Sequence, residues 1–80
     1  MKIPAIKKLV ETQELEALKA AEEAILEEET PKIEIAGDDE GEQLTHVIAA
    51  IWILEDMEKN GSEFKTALRT YTQKVRNSIS

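Results

Sequence analysis

Cysteine is absent from this sequence of 80 residues, which excludes disulfides, iron–sulfur clusters and thiolate zinc sites together. Aromatic residues are almost absent too. Trp52, Phe64 and Tyr71 are the whole set, so any core must be built from Ile, Leu, Val and Ala. There is one histidine, His46, and Ser62, Ser78 and the threonines therefore have no second imidazole to complete a nucleophilic triad. The longest apolar run, Val47 to Leu54, falls well short of the roughly 18–20 residues that span a bilayer. The opening stretch, Met1 to Lys8, lacks the uninterrupted apolar segment of a signal peptide. These absences together describe a cytoplasmic protein with no membrane contact, no catalytic constellation and no cofactor-binding pattern.

What is present is ordinary in amount but uneven in placement. The hydrophobic fraction, 41%, is that of a globular chain rather than a disordered one. A chain of this length forms one domain, so residues 1–80 are read as a single small helical unit. The net charge of −7 is split along the chain. Residues 11–58 hold sixteen acids and two bases, or −14; the first ten residues hold three lysines, or +3; residues 59–80 hold five bases and one acid, or +4. An acidic body of this size repels phosphate, which argues against nucleic acid as a partner.

Periodicity predicts four helices and one strand. Pro4 suits a first helical turn, and Ile6, Leu9 and Val10 follow at helical spacing, giving a helix over about 3–11. Leu15, Leu18, Ala21, Ile25 and Leu26 predict a second over about 14–29. Its end is crowded by Glu27, Glu28 and Glu29, the wrong sign for the helix dipole, so it should fray before Pro31 stops it. Lys32-Ile33-Glu34-Ile35-Ala36 alternates like a half-buried strand, and Gly37 to Gly41 reads as a loop. A long helix over about 42–59 ends at Asn60-Gly61, where glycine suits a left-handed cap. Ser62 is placed to cap a last helix over about 63–78, with Phe64, Leu68, Tyr71, Val75 and Ile79 on one stripe. The expected fold is mainly α with one short β-strand, in the order α-α-β-α-α.

Two features argue for a homodimer. The helix over 42–59 is apolar on every side from Val47 to Leu54, more than so small a domain readily covers. A lone strand leaves its backbone groups unpaired, so it must join either the start of the chain or its own copy across a two-fold axis.

Candidate sites are few. Asp38, Asp39 and Glu40 form the most acidic loop and are the natural metal suspects, with Glu42 and His46 one turn apart on the helix that follows. The loop lacks the alternating oxygen ligands and closing glutamate of a calcium loop. Acids before a helix start also serve its dipole, and a lone histidine with a carboxylate four residues away also reads as a helical ion pair. Glu22, between Leu18 and Leu26, and Glu55, in line with Ile48 and Ile51, sit where an apolar stripe is expected. Lys65, Arg69 and Arg76 form a basic stripe that offers them partners; with only Tyr71 nearby for stacking, it reads poorly as a nucleic-acid surface. The sequence thus describes a protein-interaction or regulatory accessory module that self-associates, with a metal- or small-ligand-binding protein using the acidic loop and His46 as the alternative.

Three segments, Met1 to Glu11, Gly41 to Val47 and Tyr71 to Ser78, together resemble a small bacterial family of about this length, a domain of unknown function. The resemblance implies no activity, cofactor or site residue.

Overall fold

The computed structural model describes residues 2–79, with side chains as far as Asn77. Its elements are α1 (Ile3–Thr12), α2 (Leu15–Leu26), α3 (Glu40–Asn60) and α4 (Phe64–Ile79). Helix α3 is the axis, and α1, α2 and α4 all pack on it.

Each helix begins and ends for a local reason. Pro4 lies in the first turn of α1, and Ile6, Leu9 and Val10 turn inward, each burial contributing about 1.5–3 kcal/mol. Gln13 is extended and ends the helix while its N–H still reaches the Leu9 carbonyl. In α2, Leu18, Ala21 and Ile25 form the buried stripe. Helix α2 stops at Leu26, five residues before Pro31, with Glu28 in the left-handed region at φ 61°. The Glu28 N–H bonds to the Ile25 carbonyl and the Glu29 N–H to the Ala24 carbonyl, a Schellman closure with glutamate where glycine is usual. The three acids that oppose the dipole are thereby left outside the helix. Asp39 caps α3, its Oδ1 accepting the Glu42 N–H at 2.8 Å. Gly61 closes α3 at φ 66°, its N–H bonding the Met57 carbonyl. Helix α4 begins at Phe64, so Glu63 rather than Ser62 stands at its threshold and accepts the Ala67 N–H.

The predicted strand does not form, and the described residues contain no strand or sheet. The order is α-α-α-α, not α-α-β-α-α. The alternation of 32–36 is real in burial, since Ile35 is buried and Ile33 packs against the core. What the segment lacks is a partner: the chain is already helical from Ile3, so no extended neighbour is present to complete a ladder. The Ala36 carbonyl bonds instead to a side chain of α3. The segment is a strap, held by its isoleucines.

The core runs along α3. Val47, Ala49, Ala50 and Ile53 are buried against Ile6, Leu9 and Val10 of α1, the stripe of α2, and Ala67 of α4. Phe64, Leu68 and Tyr71 pack on its edge as predicted, and Tyr71 meets Trp52 with ring centres 5.6 Å apart. The side chain of Ile79, placed on the same stripe, lies outside the described residues, as does that of Ser78.

Candidate functional site

The buried polar side chain among the described residues is His46, nearly two turns into α3 after the acidic loop. Its ring is fully buried, and both nitrogens are taken by backbone groups. Nδ1 lies 2.7 Å from the Ala36 carbonyl, and Nε2 accepts the Lys2 N–H at 2.9 Å. A carbonyl only accepts and an N–H only donates, so the proton sits on Nδ1 and the ring is neutral. The imidazole therefore ties the strap before α3 and the residue before α1 to the same turn of α3.

The acidic residues around it are spread out rather than gathered. Asp38 and Asp39 are exposed; Asp38 lies 3.9 Å from the Lys2 ammonium, and Asp39 is occupied as the cap. Glu40 is exposed on the first turn of α3. Glu42 is the most enclosed of them, its side chain 22% exposed, with Oε1 3.8 Å from Lys2 Nζ and 3.9 Å from His46 Nε2. That oxygen has no hydrogen bond, so the compensation it receives is charge alone. Among the described residues, no group of three histidine or acidic side chains is arranged to hold a metal ion. The expected pairing of Glu42 with His46 is present only as a 3.9 Å approach, and the backbone, not Glu42, orients the ring.

The two acids on apolar stripes do not meet the basic stripe of α4. Glu55 is exposed and lies 3.7 Å from Lys19 of α2. Glu22 is partly buried and makes no ion pair among the described residues. Lys65, Arg69 and Arg76 are exposed.

A family of unknown function, DUF6952, matches the sequence across residues 1–80. The chain belongs to that family. Neither the curated proteins nor the solved structures gave a match. The resemblance of the three segments thus extends over the whole of this DUF6952 member.

Concave surfaces lie beside α2 and between α1 and α4, among others. A groove of about 330 Å³ beside α2 has a floor of Ala17, Ala20, Ala21 and Ala24, with Glu23, Glu27 and Lys32 at its edge. It offers apolar contact and carboxylates. A shallower one between α1 and α4 is lined by Ile3, Lys65, Leu68, Arg69 and Thr72. Burial raises the pKa of Tyr71 above its ordinary value. No helix among the described residues is long and apolar enough to cross a membrane.

Sequence reasoning found His46 and Glu42 but missed Lys2 and Ala36. Their hydrogen bonds to His46 come from a backbone N–H and a backbone carbonyl, which leave no mark in residue identity.

Proposed function

We propose that this DUF6952 protein is a cytoplasmic interaction module without catalytic activity, working as a homodimer and acting as a regulator or accessory subunit. The observation that carries this reading is the open side of α3. Three helices cover the rest of its circumference, yet Ile48 remains 39% exposed, with Leu44, Ile51 and Trp52 only partly buried beside it. An apolar stripe left open on the central helix of a small domain marks a contact surface. The one buried histidine supports the same reading, because both its nitrogens serve the fold.

Sedimentation or light scattering across the micromolar range tests it. The expected mass is twice the 9.0 kDa of the chain. A mass of 9.0 kDa at every concentration removes the dimer.

A further inference from the structure

Two of the large apolar side chains left exposed, Leu26 at 64% and Ile48 at 39%, lie on different helices but share one face. Helix α2 runs antiparallel to α3: Leu15 and Glu16 share a cleft with Leu54 and Glu58, while Ile25 and Glu28 share one with Glu40 and Gln43. The Lys19–Glu55 ion pair sets the register between them. Leu26 is seven residues after Lys19, and Ile48 seven before Glu55. Seven residues are about two turns, so both return to the side from which they started. Leu26 therefore stands opposite Ile48, and with Leu44 and Ile51 they form a continuous apolar strip along the α2–α3 seam.

The flanks of this strip differ in charge. Residues 14–29 carry seven acids and one base, or −6, and Glu22, a turn beyond Lys19 on the same side of α2, makes no ion pair among the described residues. Helix α4 carries Lys65, Arg69, Lys74 and Arg76 and no acid. Its Leu68 and Arg69 side turns toward Ile3 of α1. Lys74 is on the other side, the one that borders the open face of α3, where Tyr71 meets Trp52.

We propose that this face binds a second copy of the chain, with the two α3 helices side by side and pointing the same way. The inference rests on the homodimer proposed above and assigns its surface and its symmetry. A stable interface needs about 800 Å² from each partner, roughly a seventh of the 5595 Å² surface of the chain. The strip on α3 is too narrow to supply that alone, so the α2 and α4 flanks take part and their charges decide the orientation. A two-fold axis running along α3 exchanges left and right, setting the α2 flank of each copy, which carries Glu22, against the α4 flank of the other, which carries Lys74. An axis running across α3 sets α2 on α2 and α4 on α4, like charge on like. The first arrangement brings Glu22 toward the partner's Lys74, and twice over.

Sedimentation equilibrium of the full chain and single variants tests the surface, with circular dichroism confirming the helical content of each. Ile48→Glu and Leu26→Glu should each weaken dimerisation at least tenfold. Ile3→Glu, at an exposed position outside the face, should leave it unchanged. A wild-type dimer that keeps its affinity in both Ile48→Glu and Leu26→Glu overturns this surface but leaves the homodimer standing; a monomeric wild type overturns the homodimer itself. Orientation is read separately by Leu44→Cys, the lone thiol of an otherwise cysteine-free chain. With α3 helices pointing the same way, position 44 meets its counterpart, and oxidation should yield a covalent dimer. In the opposite orientation about Ile48, it faces the partner's Trp52 and lies about 12 Å from its counterpart, too far for a disulfide. Absence of that covalent dimer overturns the orientation. Glu22→Lys and Lys74→Glu should each weaken association, and the double variant should restore it; no restoration overturns the flank pairing.

Discussion

His46 sits between two backbone groups that have no other hydrogen-bond partner among the described residues, so its removal takes a partner from both. His46→Ala should cost about 3 kcal/mol, from the lost packing of a fully buried ring together with two orphaned hydrogen-bonding groups. His46→Gln should cost less, because an amide presents both an N–H and a carbonyl. Urea denaturation midpoints separate the two variants, and equal midpoints for His46→Ala and wild type contradict the structural role. Tyr71 makes a prediction in pH. Burial raises its pKa above the ordinary 10.0, so the fold favours the neutral phenol. The stability it contributes is fully present below pH 10 and is lost as pH rises through the higher folded value. Melting temperatures of wild type should therefore fall more steeply above pH 10 than those of Tyr71→Phe, with parallel curves below. Parallel curves throughout contradict it.

At the scale of elements, the ends of α2 and α3 show two solutions to one problem. Gly61 closes α3 in the left-handed region without strain, and a Cβ there would meet nothing within 4 Å. Glu28 closes α2 in the same region as a non-glycine residue. Glu28→Gly should stabilise the protein by about 1 kcal/mol in thermal melts, whereas Glu28→Ala should give no such gain. A destabilised glycine variant contradicts this account of the closure. The Lys19–Glu55 pair that joins α2 to α3 is exposed on both sides, so Glu55→Ala should cost less than about 1 kcal/mol. The four helices and their approximate limits were legible because 3.6-residue periodicity, Pro4, Asn60-Gly61 and the acids before α3 are local signals. The end of α2 was legible only in part: the charge of Glu27 to Glu29 predicted weakness, but the stop at Leu26 comes with Glu28 in the left-handed region, which a glutamate does not announce. The strand was misread for a related reason. Alternation reports which side chains face the core, and Ile33 and Ile35 do so. A strand also requires a neighbouring backbone, and that is a fact about the rest of the molecule.

For the molecule as a whole, the segregated charge and the uncovered side of α3 bear on one measurable property. If folding is linked to self-association, the melting temperature should rise with protein concentration, since a partner that binds only the folded chain stabilises it by mass action. The same series for Ile48→Glu should be flat. A concentration-independent melt for the wild type contradicts the linkage.

The sequence by itself determined the absence of cysteine chemistry, the four amphipathic or apolar helices, the closing glycine at position 61 and the division into an acidic body with basic ends. Each depends on residue identity and short-range spacing. Only the tertiary structure decided that His46 is a tie between two distant backbone groups, that Glu55 meets Lys19 rather than the bases of α4, and that the all-apolar stretch of α3 keeps one side open. Those outcomes depend on which elements become neighbours, and packing across separations as large as the 44 residues between Lys2 and His46 is set by how all four helices share one core.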